Sequence, residues 1–356
     1  GVHHDGTLLT QARVERKGDQ TALRPAAGFR DSLELGRERK YDLYDLAAKK
    51  PRQLVPRDLR WEVDERILAD GTVYRPLDID ALDAIADDLD RAGVTSLAIV
   101  FLHSYRNSDH ERAAGERIAE LLPGLAITVS CEICPEIREY DRMSTACANA
   151  YVQPMMAGYL TRLQSGLRDN GVACPLLLVM SSGGVTTVET AIAKPIRLVE
   201  SGPAGGAILA RDVAVENGMA RVLSFDMGGT TAKIALIDDF KPHISRAFEV
   251  ARTDRFLKGS GLPLRIPVID MVEIGAGGGS IASIDALARI RVGPQSAGSV
   301  PGPACYGSGG ELPTVTDADT VLGRIDPAYF ASGTVTLDPA LAAAAIERHI
   351  CGELDC

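Results

Sequence analysis

The sequence predicts an α/β fold, and three observations predict it. Between residues 78 and 131, apolar strand-like runs alternate with amphipathic helical segments at the spacing of an α/β layer. Val222-Leu223-Ser224-Phe225 is a β-rich run that ends in Asp226. Met227-Gly228-Gly229-Thr230-Thr231 and a second β-rich run, Ala232 to Ile237, follow it. That is strand, tight turn, strand. With 356 residues the chain has room for two domains with sizeable cores.

Element by element, Glu15-Arg16-Lys17-Gly18 closes a helix with basic residues and a C′ glycine. Thr21-Ala22-Leu23 is a short strand, and Gly28 to Arg37 is a turn with one or two helical turns. Tyr41, Tyr44, Pro51 and Pro56 suit an extended surface segment over 40–60. Trp61, Val63, Glu65 and Ile67 alternate, and Asp70-Gly71 before Val73 and Tyr74 is a hairpin signal. Asp78 to Ala92 is a helix with Ile79, Leu82, Ile85, Ala86 and Leu89 on one face, closed by Gly93. A buried strand (Ser96 to Leu102), a helix (His110 to Leu122) and a strand (Ala126 to Cys131) come next.

Residues 140–170 carry a helical stripe through Ala146, Ala150, Pro154, Met155, Tyr159 and Leu163. Leu176 to Met180 reads as an apolar strand ended by Ser181-Ser182-Gly183-Gly184. Val188 to Ala193 is a short helix, Pro195 to Val199 an extended arm, and Ser201 to Val215 a helix opening in small residues. Pro267 to Ile274 is a strand ended by Gly275-Ala276-Gly277-Gly278-Gly279-Ser280. Residues 290–315, rich in Gly and Pro, read as loop, and Pro339 to His349 as helix.

Composition removes some function classes. Apolar residues make up 46% and charged residues 24%, a globular balance. With 38 basic against 48 acidic residues the net charge is −10, so counterion release on nucleic acid gains nothing. No apolar run reaches membrane-spanning length. Seven scattered cysteines, an odd number, suit free thiols in the cytoplasm.

The Asp226 turn carries the chemistry. Its glycines leave backbone N–H groups bare against an anion. Asp226, at the strand end, is placed to hold a cation or a water beside that anion. The set suits the phosphates of a magnesium nucleotide, against the alternative of an ordinary Gly-Gly hairpin turn. Two more glycine-rich turns accompany it, at 201–207 and 275–280. The first suits a close helix crossing or a hinge, the second an exposed N–H run or a loop.

Other candidates read as structure first. Cys131-Glu132-Ile133-Cys134 has metal or redox spacing but no second pair, so ordinary cysteines are expected. His103 and His110 flank a capped turn rather than a metal. Glu136, Arg138, Glu139, Tyr140, Asp141 and Arg142 read as a solvated helix start or an interface. Cys305, in a Gly/Pro loop, is a candidate exposed thiol without an identifiable base. Lys233 reads as a solvated strand lysine.

The order of small-residue helix, phosphate turn and glycine segment resembles the actin-like ATPase superfamily, a ribonuclease H-like two-domain fold. More specifically, Phe225 to Ile234 and Ile274 to Ala282 resemble the hydantoinase A / 5-oxoprolinase family. So do Arg291 to Gly298, Pro301 to Gly307, Thr314 to Asp319 and Leu322-Gly323-Arg324. Upstream, Gly28-Phe29-Arg30-Asp31, His103-Ser104-Tyr105, Pro135 to Tyr140 and Asn149 to Pro154 fit the same family, so the likeness covers nearly the whole chain.

The resemblance implies an ATP-binding A subunit that opens cyclic amides such as hydantoin or 5-oxoproline with a B-like subunit or domain, as part of an oligomer. A related branch carboxylates acetone or acetophenone. A non-catalytic nucleotide-responsive module is the third reading. Asp226 would hold Mg²⁺ through water or orient the attacking group. Gly228, Gly229, Thr230 and Thr231 would bind the β- and γ-phosphates of ATP. Gly277, Gly278, Gly279 and Ser280 would pack against adenosine or its first phosphate.

The implied division is an N-terminal domain over 1–143 and a core domain over 144–356. Two departures stand out. The family's earlier phosphate turn, D-x-G-G-T-x-T-D, is missing, and residues 1–20 resemble the segment that follows it. Thr231-Ala232-Lys233 stands where many members have Ser-Thr-Asp. The chain is therefore expected to be an internal piece that turns over ATP poorly on its own.

Overall fold

A computed structural model of the chain describes residues 18–38, 44–47, 50, 52–250, 252 and 259–354. The chain forms two compact units. One holds residues 1–205 and 244–269, the other 206–243 and 270–356. The implied boundary near residue 143 falls in the first turn of a long helix, inside the first unit.

The first unit is built on a three-stranded parallel sheet of β1 (Thr21–Pro25), β4 (Ser96–Val100) and β5 (Ala126–Val129), in the order β1-β4-β5. Between β1 and β4 lie a short helix α1 (Ser32–Leu35), the hairpin β2 (Arg66–Ile67) and β3 (Val73–Arg75), and helix α2 (Asp80–Arg91). Helix α3 (Asp109–Leu121) connects β4 to β5, and α4 (Ser130–Ile133) follows.

Parallel strands covered on both faces are mostly apolar. Accordingly β1 and β4 are buried at every position. Ala22, Leu97 and Ile99 pack with Leu82, Leu89 and Ile118 of α2 and α3. On the opposite face Leu23, Ala98 and Val100 meet Met143, Ala146 and Ala150 of α5 (Glu139–Asp169).

The later half of α5 enters a second cluster. There Val152, Met156 and Leu160 pack with Val188, Ile196, Leu264 and Val268. Leu264 and Val268 belong to the 244–269 excursion, whose β11 (Ile244–Ser245) pairs β14 (Val268–Ile269) and whose β12 (Phe248–Val250) pairs β13 (Leu262–Leu264). Within the first unit also lie the ribbon β6 (Leu177–Val179) and β7 (Val185–Thr187), and helix α6 (Val188–Ala193).

The second unit begins within α7 (Ser201–Glu216). Its sheet is antiparallel. β8 (Arg221–Met227) pairs along its length with β9 (Ala232–Asp238), which also pairs β10 (Lys241–Pro242) and β15 (Met271–Ile274). Then come the pair β16 (Ser280–Ile284) and β17 (Ile290–Ser296), helix α8 (Val315–Val321) and helix α9 (Pro339–Ile346).

Several expectations need correction. The Leu176–Met180 strand is present as β6, and only its partner could not be read from the sequence. Gly183, at φ 84°, lets the Ser-Ser-Gly-Gly turn close at once, so β6 pairs locally with β7. Pro195–Leu198 is a 3₁₀ turn rather than an extended arm, because proline at the first position has its φ preset for a helical start. The Ala126–Cys131 strand stops at Val129, where α4 begins. Pro267–Ile274 divides at Asp270 into β14 and β15. The 290–315 loop contains β17, whose Gly293-Pro294 hid a seven-residue strand. The expected helix end at Glu15–Lys17, most of the 1–20 segment that resembles the one after the missing turn, and part of the 40–60 segment lie outside the described residues.

Candidate functional site

β8 and β9 run in continuous register from Arg221↔Asp238 to Met227↔Ala232, leaving Gly228–Thr231 as the turn. Its end is tied by the Gly228 N–H donating to the Thr231 carbonyl (2.9 Å). The Gly275–Ser280 turn lies directly against it. The Gly278 N–H donates to the Gly228 carbonyl (2.9 Å), and the Gly279 N–H to the Gly229 carbonyl (2.8 Å).

Those two bonds orient the turn. A trans peptide points its C=O and N–H in opposite directions. Holding the Gly228 and Gly229 carbonyls toward Gly278 and Gly279 therefore turns the N–H groups of Gly229 and Thr230 the other way. Among the described residues neither N–H has an acceptor. Two adjacent, oriented, exposed N–H donors form a concave anion site.

Glycine is required at this contact. A Cβ on Gly277 would lie 2.6 Å from the Gly228 oxygen and the Thr230 nitrogen, both backbone atoms that cannot give way. One on Gly279 would meet Ser296 Oγ at 2.9 Å. Ser280 is buried, and its hydroxyl accepts the Gly277 N–H (2.8 Å). The structure thus brings all the expected site residues together in two sets. Asp226, Gly228, Gly229, Thr230 and Thr231 form the exposed turn, and Gly277, Gly278, Gly279 and Ser280 form its backing.

Asp226 is exposed at the strand end. A Cβ on Gly206 of α7 would come 3.9 Å from its Oδ2, so the small-residue helix passes beside the carboxylate. Across the sheet Asp226 faces Lys233, which faces Glu273 on β15. The half-buried Lys233 therefore stands between two carboxylates rather than alone in solvent. Sequence reasoning missed Glu273, because the β9–β15 register that places it depends on a contact across nearly forty residues.

The remaining candidates resolve as structure. The Cys305 thiol is fully buried, and burial, then the neighbouring Asp317 carboxylate, push it up to about 12. That corrects the expectation of an exposed thiol. Cys131 and Cys134 are unpaired, pushed by burial to about 12 and about 11. Among the described residues no group of His, Cys, Asp and Glu is arranged to hold a metal ion.

The turn before α3 is capped, with Asn107 Oδ1 accepting the Asp109 N–H (3.0 Å). His103 Nδ1–H donates to the Ile67 carbonyl (2.8 Å), and His110 Nδ1 pairs with buried Glu65 (2.8 Å). The 136–142 cluster is not a solvated helix start. Arg142 is fully buried, donating to the carbonyls of Glu136 and Phe101, while Asp141 pairs with Arg37 and Glu136 with Arg265.

An α/β chain with a glycine-backed hairpin and oriented N–H donors beside a carboxylate fits the actin-like ATPase fold. Comparison with known proteins carries this further. The Hydantoinase/oxoprolinase family description matches residues 142–355, and its N-terminal region description matches residues 1–122. The chain belongs to the hydantoinase/oxoprolinase family.

It is 41% identical over 346 residues to an uncharacterized protein of Methanocaldococcus jannaschii, covering 96% of this chain and 51% of that one. Caprolactamase subunit alpha of Pseudomonas jessenii is 34% identical over 346 residues, with 97% and 48% covered. The crystal structure of ATP-dependent caprolactamase from that organism matches at TM-score 0.78 and 34% identity, over 98% of this chain and 49% of that one. A nucleotide-free structure of acetone carboxylase, from work on ATP-dependent acetone carboxylation, matches at TM-score 0.71 and 27% identity, with 98% and 49% covered. The chain spans about half the length of the relatives it matches.

Proposed function

We propose that this chain supplies the nucleotide-binding part of an ATP-dependent enzyme that hydrolyses cyclic amides. The observation that carries this reading is the pair of outward N–H groups on Gly229 and Thr230, fixed from behind and set beside Asp226. The likeness to ATP-dependent caprolactamase supports the substrate class.

The chemistry follows from the weakness of an amide carbonyl as an electrophile. Attack of the amide oxygen on the γ-phosphorus forms an O–P bond and releases ADP. Water then adds to the activated carbon, the ring C–N bond breaks with the nitrogen taking a proton and leaving as the amine, and a second water hydrolyses the resulting acyl phosphate to carboxylate and phosphate. For such phosphoryl transfer the protein mainly positions groups and neutralises charge. The N–H groups of Gly229 and Thr230 and the hydroxyls of Thr230 and Thr231 bind phosphate oxygens. Asp226 orients the attacking group or holds a hydrated cation.

Magnesium fits this donor set of one exposed carboxylate and hydroxyls, all oxygen, and when bound it would supply charge neutralisation on the phosphates. Caprolactamase is named by subunits, which supports a B-like partner subunit or domain and an oligomer. The thiols of Cys131, Cys134, Cys147, Cys174 and Cys305, none in a disulfide, support a cytoplasmic setting.

Acetone carboxylase favours a second reading, in which the same turn activates bicarbonate or an enolate by phosphorylation. ADP release by the full-length protein with its partner separates the two. Stimulation by lactams, hydantoin or 5-oxoproline supports the first reading. Stimulation only by acetone with bicarbonate replaces it with the second.

A further inference from the structure

We infer that Asp317 is a positioning residue for the nucleotide turn, acting through α8 and the Gly277–Gly279 backing. This rests on the nucleotide reading above and deepens it. Asp317 is fully buried and has no cationic partner among the described residues. Its carboxylate accepts the N–H groups of Cys305 (2.7 Å), Thr314 (2.8 Å) and Ala304 (3.3 Å), and the Thr314 hydroxyl (2.8 Å).

Thr314 returns a bond to the Asp317 N–H, completing a capping box at the start of α8. Starting a helix of seven residues does not need so many bonds to one carboxylate, since Thr314 already supplies the N-cap. A buried charge held by donors from two separate loops fixes more than a helix end.

What it fixes is next to the site. The Thr316 N–H donates to the Gly278 carbonyl (2.8 Å), and the Gly279 N–H of that same peptide donates to the Gly229 carbonyl (2.8 Å). The Ala282 N–H, just past the backing turn, donates to the Pro313 carbonyl (2.8 Å). Successive bonds through peptide groups polarise one another. The bonds from Thr316 therefore run to the peptide whose other side presents the Thr230 N–H, and Asp317 acts on them by fixing the start of α8, on which Thr316 sits. Asp317→Asn loosens that start. An amide nitrogen on either side of that carboxylate faces an N–H and leaves two donors opposed.

The test uses the full-length protein with its partner, magnesium and the non-hydrolysable ATP analogue AMP-PNP. Calorimetry gives the dissociation constant, and hydrogen exchange follows the 226–231 segment. Asp317→Asn should raise the dissociation constant at least tenfold and abolish nucleotide-induced protection of 226–231, with the protein still folded. If Asp317→Asn only lowers the melting temperature and binds AMP-PNP as wild type does, its role is structural and the inference falls.

Should that variant fail to fold, Gly278→Ala tests the same path, since its Cβ would sit 2.7 Å from Thr316 Oγ1. Wild-type affinity in Gly278→Ala overturns the inference, and a tenfold loss supports it. Asp226→Asn separates the two levels. If the wild type does not bind AMP-PNP, or Asp226→Asn binds it unchanged, the nucleotide reading fails and this inference with it. Weakening by Asp226→Asn alone removes only the role of Asp317.

Discussion

Strands β4 and β8 are both apolar, yet β4 is buried along its whole length while β8 leaves Phe225 57% exposed. β4 has a strand at each edge and helices over both faces. Among the described residues β8 pairs with β9 alone, and on the shared face Leu223, Leu236, Val272 and Ile274 are also exposed. Side chains of similar apolar character therefore act differently. In the first unit they hold the fold. In the second they contribute little to the described chain, and the strand's output is the turn at its end.

Four substitutions test that contrast, the largest effect first. Gly277→Ala drives a Cβ into backbone on both sides of the nucleotide turn. ATP turnover of the full-length protein should fall about a hundredfold, the scale of losing one oriented donor in an active site. Turnover near wild type would mean that the backing turn has no part in function.

Leu97→Ala, in the centre of the parallel sheet, should destabilise the protein by about 2–5 kcal/mol in urea titrations, through lost burial and a residual cavity. A cost below about 1 kcal/mol would show that the first unit's core relaxes freely.

A smaller effect concerns Glu65. Burial raises its carboxyl above the ordinary 4.5, opposed by the hydrogen bond and charge of His110 and the charge of Arg66, with Glu111 adding to the rise. The folded chain thus holds this proton more tightly than the unfolded one. The stability it contributes is full below the ordinary carboxyl value and is lost as pH rises through the folded value. Urea midpoints should fall over that window, and Glu65→Gln should flatten the slope. An identical slope in the variant would assign the dependence elsewhere. Smallest of all, Leu223→Thr on the open face should change stability by no more than about 0.5 kcal/mol. A cost like that of Leu97→Ala would erase the contrast between the units.

Much of this was legible in the sequence where structure is local. Alternation and the Asp226-Met227-Gly228-Gly229-Thr230 order gave β8, its turn and β9, and long ordered motifs gave the family. The backing of the turn was not legible. Glycine at 277–279 shows what the backbone can do, not what lies against it, and its partner is almost fifty residues away. The Asp226–Lys233–Glu273 row and the Asp317 network depend in the same way on register and burial that only the fold supplies.

The most direct measurement is a structure of the full-length protein with ADP and magnesium. Phosphate oxygens should lie within hydrogen-bond reach of the Gly229 and Thr230 N–H groups, with Asp226 beside the cation or its waters. A nucleotide bound with its phosphates away from this turn would contradict it.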